Sequence, residues 1–456
     1  MIVESKFVYR EPLKGKYPRI GKFSDEIVRC IKCGLCRAVC PTLLETVSES
    51  QGARGRVSLV EAVLDGRLSL SDIFDDRISS CINCKACIDA CPSGVRVDDI
   101  ILAARAELVA RGRLPLLKRI ILRGLLKRGR LLPPVGRLAS LVQRVLLALS
   151  PKGSALRLLL PLVRIDKHRQ LPVFASRSFR EQFPERIVPE EPGAGLKVAY
   201  FVGCSSNLIY TDVADAALKV LEKLGVEVVI PREQCCCGTP MFNAGDFETA
   251  RRMARINMEA LDPSDVDAVI VTCASCGLAL RREYSRILDL DTLGFSEKVM
   301  DISEFIVKKV GLDALRQLTT APADEEIVVT YHDPCHLKRG QSIQDEPREI
   351  VRSIPGVRFK EMREPDRCCG GGGLYSFTHY EMSKAIAAHK VEAVRETGAQ
   401  IVLTSCPSCI MQLADFLSRV APDIKVMHVI ELLAKALSRA AIRTVPEEEV
   451  KTARCG

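Results

Sequence analysis

Eight cysteines fall into two runs of identical spacing: Cys30, Cys33, Cys36 and Cys40, then Cys81, Cys84, Cys87 and Cys91, each followed directly by a proline, Pro41 or Pro92. A C-x2-C-x2-C-x3-C-P run puts three thiolates on one tight loop, where they reach three irons of a cubane [4Fe-4S] cluster, and its fourth cysteine ligates the other cube. The expected ligands are therefore Cys30, Cys33, Cys36 and Cys91 for one cubane, and Cys81, Cys84, Cys87 and Cys40 for the second. The alternative is a pair of four-cysteine zinc sites, but zinc modules usually carry two separated C-x2-C knuckles, not an unbroken run of four. The intervening residues include a helix-like stretch at 57–63, which points to a helical domain rather than a compact one. Arg54 and Arg56 are near enough in sequence to raise a cluster's potential, although solvated helix positions are the expected reading.

Ten further cysteines form a repeat. Cys204, Cys236, Cys237, Cys273 and Cys276 are matched by Cys335, Cys368, Cys369, Cys406 and Cys409, each pair followed by glycine, with offsets of 131 to 133 residues. In both copies β-branched apolar stretches (198–202 and 268–272; 327–331 and 401–404) lead into the cysteines, and helical periodicity fills 212–224 and 380–397. Buried parallel strands with ligands on the following loops are expected, so each copy reads as a small α/β unit. Five thiols exceed what a cubane needs, and adjacent pairs cannot easily bind separate corners of one cube. Cys235 falls outside the repeat and reads as a packed spare thiol, Cys455 as a free surface thiol. His332 and His336 flank Cys335 and could donate hydrogen bonds to sulfur.

The elements that must position these ligands are set by length and composition. A chain of 456 residues, 47% hydrophobic and 27% charged, has room for several cores, here largely aliphatic because it holds no Trp. Twenty cysteines without an export signal suggest a reducing compartment and metal or redox chemistry in place of disulfides. The longest apolar runs are too short to cross a bilayer. The net charge of +9 arises in one place, since residues 111–180 hold 17 Lys or Arg and a single acid, Asp166. Leu-rich stretches there (114–126, 138–149, 156–163) read as short amphipathic helices. They either pack as a linker or dock on anionic lipid or an acidic partner, while sparse aromatics argue against nucleic acid. No dinucleotide fingerprint, P-loop or hydrolase signature occurs, so neither flavin nor NAD is expected on this chain.

The two C-x31-C-C-G-x34-C-x2-C-type sets resemble the paired CCG domains of heterodisulfide reductases and of the iron-sulfur subunits of glycolate oxidase, lactate dehydrogenase and anaerobic glycerol-3-phosphate dehydrogenase. The resemblance spans about residues 25–440. It implies an α+β and α/β multidomain protein: an N-terminal segment (1–24), a helical ferredoxin-type domain with two cubanes (25–110), a basic linker (111–193), two CCG domains (194–322 and 323–440) and a tail (441–456). It further implies one or two non-cubane [4Fe-4S] clusters on the five-cysteine sets, with Cys236, Cys237, Cys368 and Cys369 as the candidate reactive positions. Retention of Cys406 keeps a reductase-type second site open. The segments 331–337 and 347–349 resemble a second-domain segment shared by the hydroxy-acid dehydrogenase subunits and the membrane-linked heterodisulfide reductases, whereas 405–413 and 428–432 lean towards the glycolate and lactate branch. The implied function is an oxidoreductase subunit that carries electrons from an FAD-binding oxidase subunit to a respiratory acceptor. The alternative is a heterodisulfide reductase D-type catalytic chain partnered by a b-type cytochrome or related subunits. A scaffold in a larger complex is a third reading. The expected location is the cytoplasm, with 111–180 able to contact the inner face of the membrane.

Overall fold

The computed structural model describes residues 15–113, 124, 132–148, 172–190, 193, 195–319 and 326–443. They divide into two compact units, residues up to 118 together with 240–247, and the remainder. The architecture is mixed helical and α/β, the class the sequence leads one to expect.

The first unit is built on the helices Ala53–Leu64, Asp72–Ser79 and Val97–Ala110. Val57, Val60 and Val63 recur at helical spacing and are buried with Ile78, Ile100 and Ile101; Cys30, Cys36, Cys81, Cys87 and Cys91 pack on this core. Ser71 caps the second helix, its hydroxyl accepting from the Phe74 amide at 3.2 Å. The two cysteine loops share one backbone device: the residues before and after the middle cysteine both have positive φ, Lys32 (57°) and Gly34 (89°) in one loop, Asn83 (59°) and Lys85 (63°) in the other. For a lysine this conformation costs about 1–2 kcal/mol. Lys85 is held there by a buried ion pair, its Nζ 2.5 Å from Asp98 Oδ2. Arg105 fixes the same loop, donating to the carbonyls of Ile78, Ser79 and Cys81. Residues 240–247 join this unit because Gly245, at φ 87°, lies against the Arg105 backbone, where a Cβ would sit 2.4 Å from the carbonyl oxygen.

The second unit carries two sheets. The first is ordered β1-β3-β2-β4-β5, from Arg186–Ile187 (β1), Lys197–Phe201 (β2), Glu227–Val229 (β3), Ala268–Val271 (β4) and Val299–Asp301 (β5); only β1 is antiparallel. The second is ordered β7-β6-β8-β9, all parallel, from Ile327–Tyr331 (β6), Val357–Phe359 (β7), Ile401–Thr404 (β8) and Lys425–His428 (β9). Apart from β1 the two orders are the same, so the repeat seen in the cysteines is a repeat of topology. β4 and β8 are buried along their whole length, as strands covered on both faces must be. The helices Thr211–Lys223 and Tyr380–Arg395 occupy the stretches with helical periodicity. Side chains of both sheets enter one apolar cluster that includes Val198, Ile270, Val329, Leu403 and Leu433.

In each sheet the chain runs from its first parallel strand to one side and then returns to the other. That is a topological switch point, where open α/β sheets bind ligands at the carboxyl ends of their strands. Cys204 and Cys273 follow β2 and β4, and Cys335 and Cys406 follow β6 and β8.

Of the three expected basic helices, the central one is present as Leu132–Ala148. The stretches 114–126 and 156–163 lie almost wholly outside the described residues, as does Cys455. Among the described residues no helix is long and apolar enough to cross a membrane.

Buried charge in both units makes stability sensitive to single substitutions. Removing one member of a buried ion pair strands the other, so Asp98→Ala should destabilise the protein by about 3–5 kcal/mol in chemical unfolding. Asp301 is fully buried at the end of β5; its Oδ1 accepts from the Ser303 amide at 2.8 Å while Oδ2 has no partner, and burial pushes its carboxyl up to about 7. A raised carboxyl favours the folded state at acidic pH and loses that advantage as pH rises from about 4 through about 7. Asp301→Asn should therefore gain relative to wild type over that range, by up to about 4 kcal/mol, and level off above it. Melting temperatures of both proteins from pH 4 to 8 would check this.

Candidate metal centres

In the first unit the cysteines line two cavities. One is bounded by Cys40, Cys81, Cys84 and Cys87, with Thr42, Arg56, Lys85 and Asp98. The other is bounded by Cys30, Cys33, Cys36, Cys91 and also Cys87, with Ile31, Gly34 and Arg54. Each thus gathers three thiols of one run and the fourth of the other. Non-atom space of about 410 and 390 Å³, part of it open to solvent, lies among these side chains. Burial pushes the Cys36 and Cys87 thiols up, and neighbouring thiols push in the same direction. Crowded buried sulfurs that resist ionisation are a set suited to a positively charged group.

The surroundings correct one sequence reading. Arg56 is not solvated: it is 1% exposed, donates to Thr42 Oγ1 (3.1 Å), Ser80 Oγ (2.9 Å) and the Arg77 carbonyl (2.8 Å), and lines the cavity of Cys40. Thr42 Oγ1 in turn lies 3.4 Å from Cys40 Sγ. Arg54 lines the other cavity and is held by Glu49 and the Lys32 carbonyl. Both sit on the helix that closes the cavities, and helical spacing alone could not tell an inward arginine from a solvated one.

In the second unit the sulfurs form a ladder. Cys204 Sγ lies 4.0 Å from Cys236 Sγ. Electrostatic coupling then runs from Cys236 to Cys237, from Cys237 to Cys276 and from Cys276 to Cys273. In the other set Cys335 pairs with Cys368, and Cys369 with Cys409, which pairs with Cys406. The two sets meet where Cys273 and Cys406 stand as electrostatic neighbours, on loops joined by the bond from Ala274 N to Ser405 O. Backbone and side chains around that contact lock the halves together: Ala274 N to Ser405 O (3.2 Å), His428 Nε2 to Thr272 O (3.1 Å) and His336 Nδ1 to Ser275 Oγ (3.0 Å). The repeat persists in side-chain detail, since Tyr200 bonds Thr272 as Tyr331 bonds Ser405, each at 2.9 Å.

Glycines let backbone approach sulfur closely. A Cβ on Gly203 would stand 3.3 Å from Cys276 Sγ and one on Gly371 3.6 Å from Cys369 Sγ. Charge is distributed unequally. Cys335 is held down to about 6, chiefly by the hydrogen bond from Cys368, with His336 and Arg339 adding positive charge. His332 reaches Cys369; its Nδ1 lies 3.1 Å from the Pro365 carbonyl, and its ligand atom is within 4.8 Å of both Cys369 and Cys409 sulfurs. Arg180, nearly buried, donates to the carbonyls of Arg232 and Gln234 beside the first set. Ten thiols, buried or partly so, grouped closely enough to perturb one another, with glycine-shaped cradles beside them, fit an iron-sulfur group.

Several supporting residues were not found by sequence reasoning. Asn257 and Tyr284 hold the carbonyls of Cys236 (3.1 Å) and Cys237 (3.0 Å), and Asn257 Oδ1 accepts from the amide of Cys235. Thr239 Oγ1 lies 3.2 Å from Cys237 Sγ, as Thr42 lies beside Cys40. A threonine two residues after a cysteine at both sites is the signal that could have found them. Cys235 is buried, its thiol directed at the carbonyls of Cys236 and Met253. Lys390 is fully buried on the inner face of its helix, donating to the carbonyls of Glu364 (2.5 Å) and Pro365 (3.1 Å); burial draws its ammonium down to about 8.

Comparison with known proteins agrees with this geometry. The cysteine-rich domain (CCG) family matches residues 198–281 and 329–414, and the 4Fe-4S dicluster domain family matches 26–95. The chain is 32% identical over 426 residues to a probable glycolate oxidase iron-sulfur subunit of Bacillus subtilis, covering 90% of this chain and 94% of that protein. It belongs to the CCG-domain family of iron-sulfur subunits. A second relative is a subunit of the anaerobic glycerol-3-phosphate dehydrogenase of Escherichia coli, 31% identical with 90% of this chain and 98% of that protein covered. A third is a subunit of the dihydromethanophenazine:CoB--CoM heterodisulfide reductase of Methanosarcina barkeri, 28% identical with 90% and 94% covered. These relatives of the CCG protein are all subunits of oxidoreductase complexes.

Within this CCG protein the second cysteine pair hangs on the loop that Lys390 anchors. Lys390→Met would take the donor from the Glu364 carbonyl, while Pro365 keeps the Asp333 amide, and should cost about 1–3 kcal/mol in chemical unfolding. Asp423→Ala, at an exposed position, should change stability by no more than about 0.5 kcal/mol in the same assay.

Proposed function

We propose that this chain is the electron-transfer subunit of a flavin-dependent 2-hydroxy-acid dehydrogenase complex acting on glycolate or lactate, in which a separate FAD-binding subunit oxidises the substrate. The observation that carries the reading is the pair of five-sulfur sets whose loops meet at the Ala274–Ser405 and Thr272–His428 bonds, in a chain that also gathers eight cysteines around two cavities. We assign Cys30, Cys33, Cys36 and Cys91 to one cubane, and Cys81, Cys84, Cys87 and Cys40 to the other. The five-cysteine sets beginning at Cys204 and Cys335 would each hold a non-cubane [4Fe-4S] cluster. Such clusters, when bound, accept and release electrons one at a time, which is what an alcohol oxidation releasing two together requires of a partner that splits them.

The protein's own side chains do the rest. Thr42, Thr239 and His332 stand at hydrogen-bonding distance or nearby from ligand sulfurs, and such contacts tune potential. The buried cations Arg56 and Lys390 favour the more reduced state of whatever the adjacent thiolates hold. The similarity to glycolate oxidase subunits over nearly the whole chain supports the dehydrogenase assignment.

A second reading has its own observation. Both five-cysteine sets are complete and touch each other, which suits a heterodisulfide reductase D-type catalytic chain in which a disulfide is reduced between them. The relative from Methanosarcina barkeri supports it.

Anaerobic purification from the native host, with mass spectrometry of what accompanies the chain, separates the two. An FAD-binding oxidase subunit is expected. Its absence, together with reduction of a mixed disulfide by the isolated dye-reduced protein, would reject the dehydrogenase assignment in favour of the reductase.

A further inference from the structure

The two cysteine repeats match closely at their strand ends, and one buried position breaks the match. Tyr200 and Tyr331 are equivalent, since each bonds a hydroxyl just past the neighbouring strand, Thr272 or Ser405, at 2.9 Å. The residues that follow them are Phe201 and His332, each 1% exposed. Phe201 Cε1 and Cys276 Sγ both stand beside Gly203, 3.7 and 3.3 Å from where its Cβ would be, so the first set has a phenyl ring next to it. The second set has an imidazole at the corresponding position.

Burying an imidazole where a phenyl ring would pack costs free energy unless its nitrogens are used. One of them is accounted for. The His332 amide donates to the Leu403 carbonyl at 2.8 Å, which extends the pairing of β6 with β8, and Nδ1 lies 3.1 Å from the Pro365 carbonyl oxygen. A carbonyl can only accept, so Nδ1 carries a proton and, in the neutral ring, Nε2 carries the lone pair. Fixing one ring nitrogen on a backbone carbonyl in this way is how proteins prepare the other to bind a metal.

The ring also lies among sulfurs. A ligand nitrogen of His332, Cys369 Sγ and Cys409 Sγ are all within 4.8 Å of one another, and all three residues are buried. At that spacing three donors can converge on one metal ion. The other histidines near the two sets are engaged differently. His428 uses both nitrogens, Nε2 at 3.1 Å from the Thr272 carbonyl and Nδ1 accepting from the Ile430 amide at 3.2 Å. His336 turns Nδ1 to Ser275 Oγ at 3.0 Å.

We infer that His332 is itself a metal ligand: one iron of the second group is held by Cys369, Cys409 and His332 Nε2, a donor that the first group lacks. The inference rests on the assignment of Cys335, Cys368, Cys369, Cys406 and Cys409 to an iron-sulfur cluster. The new bond uses the lone pair of Nε2, and neither a proton nor an electron leaves the protein in forming it. The two groups then differ in coordination. A further donor closes a position on that iron, whereas metal sites that bind substrate keep one open. A closed iron passes electrons without taking up substrate, which accords with the electron-transfer reading.

The test uses the full-length protein, purified anaerobically with its clusters, reduced, and examined by pulsed electron paramagnetic resonance. One sample is grown with histidine enriched in the heavy nitrogen isotope. Wild type should show a nitrogen coupling as strong as that of a directly ligated imidazole, and the labelled sample should change it to the heavy-isotope pattern. His332→Phe, which gives the second copy the side chain of the first, should lose that coupling, and His336→Asn should keep it. His332→Cys, which supplies a thiolate at the same place, should retain the iron content of wild type without the nitrogen coupling. The labelling of wild type decides the matter even where a variant fails to fold. Iron and sulfide at full level with only the weak coupling of a nitrogen hydrogen-bonded to sulfur overturns the inference, as does a strong coupling that survives His332→Phe. Absence of iron and sulfide from wild type would instead reject the cluster assignment on which the inference rests.

Discussion

Crowded sulfur is the constraint on which the rest depends. Nineteen described cysteines are unbridged, and eighteen of them sit in four groups, mostly buried or partly buried. Thiolates at such separations repel one another, and burial penalises each charge further. The sulfurs are pushed unequally: Cys237, Cys369 and Cys406 are driven down while Cys236, Cys273, Cys276 and Cys409 are driven up by burial and by their neighbours. Only positive charge placed among them would let all ionise together. The fold around each group is legible as the scaffold for that placement.

Two different backbone solutions serve it. In the helical unit, left-handed residues on both sides of the middle cysteine curl a loop tightly, and the following helices bring the fourth thiol from the other run. In the α/β unit the switch point between the central strands does the same work, since two strand ends deliver Cys204 and Cys273, or Cys335 and Cys406, side by side. Duplication then joins the halves face to face. Tyr200 with Thr272 and Tyr331 with Ser405 are the same hydrogen bond written twice, and they steady the strand ends that carry the ligands.

Much of this was readable beforehand. Strands β6 and β8 occupy the stretches 327–331 and 401–404 marked by their β-branched runs, because a strand covered on both faces must be apolar throughout. Cysteine spacing likewise shows which thiols fall into groups. What escaped was whatever depends on direction. Arg56 and Lys390 are charged residues at inward helical positions, and periodicity assigns charge to the outside unless a buried partner is known. The Cys273–Cys406 contact escaped for another reason: the repeat defines each half, but how two halves meet depends on packing between helices such as Thr211–Lys223 and Val429–Arg443.

The measurement that tests the central claim most directly is metal and acid-labile sulfide analysis of the anaerobically purified chain, with Cys369→Ser beside it. The account predicts iron and sulfide in equal amounts, negligible zinc, and a matched partial fall in both in the variant, which removes a ligand from one of the four groups. Zinc without sulfide, or iron and sulfide undiminished by the substitution, would contradict it.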